Sequence, residues 1–171
     1  LVPNAFDDRT LQTLEGGLAV GHTRYSTTGS STWRNAQPVW RSVAGREFAL
    51  GHNGNLTNTA ALAEGAGMLA GIGTSDSDLV ADLLAAELAG MGEDRRDDAL
   101  EQAVLAVLPR LEGAFSLVIA DEHRIVAVRD PHGFRPLCLG KLPSGWVVAS
   151  ETPALDIVGA HVVREREPGE V

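Results

Sequence analysis

The sequence predicts one α+β domain in which strands lie on either side of a helical middle. Short apolar stretches that end in glycine and polar residues occupy the first third, and paired apolar stretches separated by turn residues occupy the last third. Between them, apolar residues recur at the spacing of one helix face. With 171 residues, 44% of them hydrophobic, the chain can bury one real core and gives no reason to infer two domains.

The first strands are predicted over residues 18–26 and 47–54. Both stretches run from apolar residues into glycine and polar residues, as buried strands do when they present a site at their ends. A helix weakened by glycines is expected over 57–71, with Thr57 or Asn58 as its N-cap.

The strongest helix signal covers residues 74–90. Ser75 and Asp78 resemble a capping box, and the leucines and valine that follow form one apolar face. A second amphipathic helix is predicted over 100–111 and is expected to close at Gly113, since glycine is common just after helix ends. The charged stretch 92–98 between the two helices is interpreted as a solvated loop.

Two hairpins are predicted after the helices. The first turns at 121–123, between the apolar runs of 114–130, and the second turns at 143–145, within 136–150. The chain stops at "REPGEV", which reads as part of a further strand pair.

Charge and hydropathy exclude two classes of partner. The formal net charge of -9 would repel a nucleic acid backbone. The longest apolar runs, such as 115–120, are far shorter than the roughly 20 residues that a membrane span requires. We therefore expect a soluble protein with neither partner.

The cysteine and histidine content argues against disulfides and metal. Cys138 is the only cysteine, which fits a reducing compartment, and the cytoplasm is expected. It lies in an apolar strand, where a thiol is an inert core residue. The five histidines lack the spacing that metal ligation favours, so no metal site is expected in this domain. Because Leu1 is neither an initiator methionine nor part of a secretion signal, we expect the chain to be an internal piece of a longer polypeptide.

Three groups at element ends suggest a site for an α-amino acid. They are Arg24 at the end of the first predicted strand, Asn53 and Gly54 at the end of the second, and Asp76 at the start of the strongest helix. Each has a structural alternative: an ion pair for Arg24, a simple turn for Asn53 and Gly54, and a favourable helix-dipole contact for Asp76. Together they offer a guanidinium for a carboxylate, a carboxylate for an ammonium group, and donors for an oxyanion.

Five motifs, in order, carry a family resemblance. The stretches "GHTRYSTTG", "NAQP", "GHNGNLTN", "TSDSD" and "RDPHGFRPLCLG" resemble the class II glutaminase domains of glutamine phosphoribosylpyrophosphate amidotransferases, over roughly residues 6–171. The resemblance implies the N-terminal-nucleophile hydrolase fold, a four-layer αββα sandwich of two antiparallel sheets, of which residues 1–171 would be a partial domain without its N-terminal strands. A phosphoribosyltransferase domain is expected beyond residue 171.

The resemblance also implies the site roles. Arg24, Thr27 and Asp76 would bind glutamine, Asn53 and Gly54 would form the oxyanion hole, and the stretch 25–35 would close over the substrate. In this family the nucleophile is a cysteine at the mature N-terminus, whose α-amino group is the base. No such cysteine is present, so we expect these 171 residues alone to release no ammonia from glutamine.

The remaining implications concern the whole enzyme. The resemblance implies transfer of ammonia to phosphoribosylpyrophosphate in the first step of purine synthesis, Mg²⁺ in the phosphoribosyltransferase domain and a homo-oligomer. An iron–sulfur cluster, known in parts of the family, could not be held by this chain's single cysteine. Two alternatives stay open: a glucosamine-6-phosphate synthase type of amidotransferase, whose loop would read more like TRWATHG and NAHP, and a non-catalytic glutamine-binding module.

Overall fold

A computed structural model describes residues 7–23, 35–67, 75–92 and 97–171. In these ranges the chain forms helices and strands in the mixed order that the sequence predicts. The helices are α1 Asp8–Gln12, α2 Thr59–Gly65, α3 Asp76–Gly90, α4 Ala99–Val107 and α5 Thr152–Ile157. The strands are β1 Val39–Val43, β2 Arg46–Leu56, β3 Gly113–Ala120, β4 Ile125–Arg129, β5 Cys138–Leu142, β6 Gly145–Ala149 and β7 His161–Glu165.

The first sheet is antiparallel, with the strand order β1-β2-β3-β4. β2 is its longest strand and pairs with β3 from Ala49 opposite Ala120 to Leu56 opposite Gly113. β1 pairs only with the first half of β2, from Arg46 to Leu50. The second half of β2, which carries Asn53, therefore has β3 on one side and no β1 residue on the other.

A helical layer covers one face of this sheet. α3 packs on β1 and β2, and α2 and α4 pack on α3. The apolar face of α3 and the inward residues of β2 and β3 form the main core, which includes Leu50, Leu83, Leu84, Phe115, Leu117 and Ile119. The predicted capping box is confirmed, since the Ser75 hydroxyl accepts from the N–H of Asp78 at 3.2 Å and donates to its carboxylate at 2.9 Å. Within the described residues, no helix combines the length and apolar character that crossing a membrane demands.

The second sheet is also antiparallel, with the order β6-β5-β7, and α5 packs against it. Its small core joins Cys138, Leu155 and Ala160. Burial raises the pKa of the Cys138 thiol, so the prediction of an inert core cysteine is confirmed.

Two glycines in the central strands have a backbone conformation in which a side chain would point into the facing strand. Gly54 in β2 has φ 144°, and a Cβ there would lie 2.0 Å from the carbonyl oxygen of Ala114. Gly113 in β3 has φ 142°, and its Cβ would lie 2.3 Å from the carbonyl oxygen of Asn55. Only glycine fits either position, because any side chain would collide with the backbone of the facing strand.

The carboxylate of Asp130 organises the loop after β4. It is fully buried and accepts four backbone hydrogen bonds: Oδ1 from His132 at 2.9 Å and Phe134 at 3.2 Å, and Oδ2 from Phe115 at 3.3 Å and Arg135 at 3.1 Å. Burial alone would raise the pKa of this carboxyl, but the N–H groups outweigh it and hold the pKa below its usual value of 3.8.

The same loop is fastened to β3 at the level of the glycine pair. The N–H of Asp130 donates to the carbonyl of Phe115 at 2.8 Å, and Phe115 lies opposite Gly54. The next residue, Ser116, donates its hydroxyl to the carbonyls of Arg135 and Pro136, each at 3.2 Å. The loop therefore fixes the part of β3 that faces Asn53 and Gly54.

Two predictions about the first part of the fold are wrong, and one strand was not predicted. Residues 18–23 pair with no strand, and Leu18 is exposed. β1 was not predicted; it forms because β2 offers an edge and the Arg41 guanidinium reaches Asp82 and Asp78 of α3 at 2.7 and 3.1 Å. Gly113 is not a helix cap, because α4 ends at Val107 and Gly113 begins β3.

The other predicted elements are largely confirmed. Both hairpins turn where expected, between β3 and β4 and between β5 and β6. Asn58 is the N-cap residue of α2, although its side chain makes no capping hydrogen bond. The strand predicted within residues 166–171 is absent, so that prediction is wrong.

Gly54→Ala should destabilise the fold strongly. The methyl group would require β2 and β3 to separate and would force a strained backbone, so we expect a loss of about 3–5 kcal/mol in the free energy of unfolding, measured in urea. Gly45→Ala is the matched control, because Gly45 also has a positive φ, 72°, but nothing lies within 4 Å of its Cβ position. A control loss of about 1 kcal/mol is expected; equal losses would show that the close approach does not matter.

Asp130→Asn should also lower stability, because the amide replaces one acceptor by a donor that faces backbone N–H groups. We expect a loss of about 2–4 kcal/mol in urea unfolding at pH 7. Asp121→Asn is the control: the Asp121 carboxylate accepts from two backbone N–H groups, of His123 and Arg124, at the β3–β4 turn, and a loss below about 1 kcal/mol is expected there.

The difference between the parent and Asp130→Asn should disappear in acid. The pKa of Asp130 is lower in the folded than in the unfolded state, so its stabilisation is fully present above about pH 4 and is lost as the pH falls through the folded value. The Arg164 guanidinium lowers the pKa of Glu170 to about 2. Glu170 is present in both proteins, so its contribution to the pH dependence of stability cancels when the two are compared. A difference that stays constant between pH 7 and pH 3 would contradict this role.

Candidate functional site

The end of β2 and the start of α3 meet at the carboxylate of Asp76. Asp76 Oδ2 accepts a hydrogen bond from the N–H of Leu56 at 3.2 Å, and Oδ1 lies 3.7 Å from His52 Nδ1. His52 precedes Asn53 in β2, and Leu56 follows Gly54 by two residues. The structure thus brings Asp76 to the part of β2 that contains both predicted oxyanion residues.

Local sequence explains why Asp76 lies there. Ser75 caps α3, which makes Asp76 the first helical residue, and its carboxylate lies at the positive end of a 15-residue helix. Its Oδ1 also accepts from the N–H of Ser77 at 3.0 Å. The side chain keeps 18% of its surface exposed, so the carboxylate is fixed by the protein and still open on one side.

Asn53 and Gly54 lie on β2, which is held in place by its pairing with β3. Asn53 is opposite Ser116 and Gly54 is opposite Phe115, the two β3 residues that the Asp130 loop holds. Both Asn53 and Gly54 are half-buried. Directly opposite residues in an antiparallel pair share a face, so the Asn53 side chain lies on the Ser116 side of the sheet, away from the helical layer.

The main chain of His52 joins two further segments to this site. Its N–H donates to Gln37 Oε1 at 2.6 Å, and its carbonyl oxygen lies 3.1 Å from His22 Nε2. His22 precedes Arg24 by two residues, and Gln37 belongs to the "NAQP" motif. The described segments that end at residue 23 and begin at residue 35 therefore both contact His52, the residue next to Asn53.

The His52 side chain is buried between β2 and α3. Its Nδ1 lies 3.2 Å from the hydroxyl oxygen of Ser77, and the residue is 3% exposed. Burial lowers the pKa of this imidazole; the nearby Asp76 carboxylate opposes the shift, while His22 and Arg135 add to it. The ring is therefore neutral at physiological pH.

The predicted site residues are only partly covered by the structure. Asp76 lies against His52 and Leu56, the β2 residues that flank Asn53 and Gly54, whereas Arg24 and Thr27 lie outside the described residues, as does nearly all of the predicted closing loop. Among the described side chains, no group of His, Cys, Asp and Glu is arranged to hold a metal ion.

Sequence reasoning missed His52 and Ser77 as parts of this site. The signal for His52 was a histidine inside an otherwise apolar strand, directly before Asn53. The signal for Ser77 was a hydroxyl residue in the first turn of α3. In the structure the Ser77 residue is 2% exposed. Their contact depends on how α3 packs on β2, which no local pattern indicates.

A cavity of about 280 Å³ lies at the other end of the first sheet and contains none of the site residues. Its cations have partners: Arg124 binds Glu101 at 2.8 Å, and Arg46 donates to the carbonyl of Gly92 at 3.0 Å. The cavity is therefore separate from the chemistry described above.

Known proteins with similar sequences include several amidophosphoribosyltransferases. The amidophosphoribosyltransferases of Mycobacterium leprae and Synechococcus elongatus are 54% and 45% identical to this chain, over all of it, and the alignments cover 31% and 35% of those proteins. The chain thus spans about a third of the length of the curated relatives it matches.

Solved structures agree with the fold. The glutamine phosphoribosylpyrophosphate amidotransferase from B. subtilis, complexed with ADP and GMP, matches with a TM-score of 0.70 at 34% identity, over 86% of this chain and 30% of that one. A structure described as the allosteric regulatory enzyme of purine biosynthesis matches with a TM-score of 0.80 at 34% identity, over 98% of this chain and 35% of that one. The N-terminal-nucleophile hydrolase fold, with its two antiparallel sheets and flanking helices, is thereby confirmed.

The family model described as "Glutamine amidotransferase domain" matches residues 22–157, which include every predicted site residue. With Asp76, Asn53 and Gly54 assembled at the end of β2, this chain belongs to the glutamine amidotransferase domain family.

Proposed function

We propose that this chain is the glutaminase domain of an amidophosphoribosyltransferase. In this proposal the domain releases ammonia from glutamine, and the rest of the protein transfers that ammonia to phosphoribosylpyrophosphate to give 5-phosphoribosylamine, in purine synthesis. The observation that carries the proposal is the Asp76 carboxylate, which is fixed to β2 on both sides of Asn53 and Gly54. The names of the relatives favour this enzyme over the glucosamine-6-phosphate synthase type.

Asp76 is assigned to the α-ammonium group of glutamine. Both of its oxygens accept backbone hydrogen bonds, so the carboxylate has a defined orientation, and its exposed side is available to a cation. Because the ammonium carries the same charge in the ground state and the transition state, this contact supplies binding rather than rate.

Asn53 and Gly54 are assigned to the oxyanion. The N–H groups of His52 and Leu56 are directed to Gln37 and Asp76, and Gly54 lies between them in β2. We assign the Gly54 N–H and the Asn53 side-chain amide to the charge that forms on the glutamine side-chain oxygen. The fixed strand β3 behind them keeps both donors in place before the reaction begins.

Arg24 and Thr27 are assigned to the α-carboxylate end of glutamine. The support is the position of the described residues on each side: His22 and Gln37 both contact the main chain of His52. A guanidinium can bind a carboxylate through two parallel hydrogen bonds, which fixes the orientation of the substrate as well as its charge.

The nucleophile in this proposal is the N-terminal cysteine that the family resemblance implies. Its thiolate attacks the side-chain carbonyl carbon of glutamine, the nitrogen leaves as ammonia after taking a proton, and water then hydrolyses the thioester to glutamate. Cys138 cannot replace it, because that thiol is buried in the second sheet.

The whole enzyme is proposed to be a cytoplasmic homo-oligomer with glutamine and phosphoribosylpyrophosphate as its substrates. Mg²⁺ is assigned to the phosphoribosyltransferase part, and no cofactor is assigned to this domain. A domain with a formal charge of -9 is unsuited to nucleic acid. A non-catalytic glutamine-binding module would use the same contacts of Asp76, so the kinetic test below must measure turnover.

In the full-length enzyme, Asn53→Ala and Arg24→Ala should affect different steps. Asn53→Ala removes a donor that matters only when charge develops, so we expect kcat with glutamine to fall roughly 10²- to 10³-fold, with little change in KM. Arg24→Ala removes binding that both states share, so KM for glutamine should rise roughly 10²-fold with kcat nearly unchanged. Steady-state kinetics of glutamine-dependent phosphoribosylamine synthesis measure both.

Two controls keep this test specific. Asn55→Ala changes the same residue type two positions along β2 and should leave kcat within about threefold. Synthesis from ammonium salt bypasses the glutamine site, so all variants should retain it. If Asn53→Ala altered only KM, the oxyanion assignment would be wrong, and absence of glutamine turnover in the unmodified enzyme would favour the binding module.

A further inference from the structure

We propose that His52 is a positioning residue for glutamine binding: its neutral ring, protonated on Nδ1, holds the carboxylate of Asp76 in the orientation that receives the substrate's α-ammonium group. The inference rests on the proposed role of Asp76 and extends it to a residue that does not contact the substrate. His52 acts through Asp76 and Ser77, because its ring lies behind them, in the interface between β2 and α3.

The proton belongs on Nδ1 because that nitrogen is within hydrogen-bond distance of the Ser77 hydroxyl and faces the Asp76 carboxylate, which lies just beyond hydrogen-bond distance. Ser77 Oγ lies 3.2 Å away and Asp76 Oδ1 lies 3.7 Å away. A carboxylate can only accept, and an Nδ1 without a proton would place two electron-rich atoms against each other. The described contacts therefore favour the tautomer whose Nδ1–H donates to Ser77 Oγ and turns the positive edge of the ring toward the Asp76 carboxylate.

The other ring nitrogen shows that packing alone does not explain a histidine here. His52 Nε2 is buried and has no hydrogen-bond partner among the described residues. A buried polar atom without a partner destabilises the fold, and leucine or phenylalanine would fill an apolar interface without that cost. The ring's contribution must come from its other side, where Nδ1 faces Ser77 and Asp76.

His52 is also held firmly enough to orient another group. Its main chain is fixed by hydrogen-bond contacts with Gln37 at 2.6 Å and His22 at 3.1 Å. Leu117, the residue of β3 directly opposite His52, lies in the main core. A side chain can preorganise a binding group only if its own position is determined by packing and hydrogen bonds. His52 meets that condition from both its backbone and its ring.

The charge of the site requires this imidazole to be neutral. A protonated ring would neutralise Asp76 and compete with the substrate's ammonium group for the same oxygens. A neutral Nδ1–H orients the carboxylate and leaves its negative charge for the ligand. The charged or titratable groups that act on the ring are Asp76, His22 and Arg135.

The test compares substitutions that keep or remove the donor at the Nδ1 position. In the full-length enzyme, His52→Asn places an amide nitrogen near the position of Nδ1, His52→Gln places it near Nε2, and His52→Leu provides no donor. Each variant is assayed with glutamine and with 5-amino-5-oxopentanoate, which is glutamine without its α-amino group. The readout is the ratio of kcat/KM for the two substrates, which does not depend on the fraction of enzyme that is folded.

We expect His52→Gln and His52→Leu to lower that ratio by roughly 5- to 10-fold, the usual effect of a lost hydrogen bond between neutral groups, here the one from His52 to Ser77 beside Asp76. His52→Asn should keep the ratio within about threefold of the parent. A merely structural role would lower activity on both substrates equally, so an unchanged ratio in the Gln and Leu variants would overturn the inference. An equal fall in all three variants would overturn the assignment of Nδ1.

Asp76→Asn separates this inference from the proposed function on which it rests. If Asp76 binds the ammonium group, Asp76→Asn should lower the same ratio by at least as much as His52→Gln. An unchanged ratio in Asp76→Asn would refute the assigned role of Asp76 and the inference with it. A large fall in Asp76→Asn beside an unchanged ratio in the His52 variants would refute the inference about His52 alone.

Discussion

The close approach of β2 and β3 at Gly54 and Gly113 is the constraint on which the site depends. Two backbones can lie this near only where neither residue has a side chain, and both glycines adopt φ values that other residues rarely use. The Asp130 loop then fixes the β3 side of the contact, because its carboxylate and main chain both bind Phe115. The β3 residues opposite the proposed oxyanion donors on β2 are thus held by hydrogen bonds from the main chain, the Asp130 carboxylate and the Ser116 hydroxyl.

The electrostatics of the site depend on which groups donate hydrogen bonds to the Asp76 carboxylate. Asp76 lies at the positive end of α3 and accepts two backbone hydrogen bonds, so neutral groups of the protein fix the orientation of its carboxylate. A lysine or arginine in that place would have satisfied the carboxylate and left nothing for an ammonium ligand. Backbone N–H groups orient Asp76, and among the described residues no lysine or arginine forms an ion pair with it. The same choice recurs at Asp130, where four N–H groups take the place of a cation.

Helix α3 and the two hairpins could be predicted from the sequence because the residue patterns that indicate them are local. α3 was predicted because Ser75 and Asp78 form a capping box and its apolar residues share a face, and both hairpins were predicted from their turn residues. β1 was missed because it depends on the edge of β2 and on carboxylates of α3 that bind Arg41. Gly113 was misinterpreted because a glycine signal does not distinguish a helix end from a close backbone approach. The types of group at Asn53 and Asp76 indicated the chemistry, but only the packing of α3 on β2 revealed His52.

His52 connects parts of the chain that are distant in sequence. Its ring faces the start of α3, its N–H binds Gln37, and its carbonyl lies against His22. These three stretches flank or contain the residues assigned to the two ends of glutamine. A single residue of β2 therefore sets the distance between the proposed ammonium site and the segments that lead to Arg24. β2 is itself fixed by the glycine contact with β3. The groups proposed to bind the two ends of the substrate are therefore both positioned relative to the same strand. The distance between the sites for the ammonium and the carboxylate group of an amino acid can thus be set by the fold before a ligand binds.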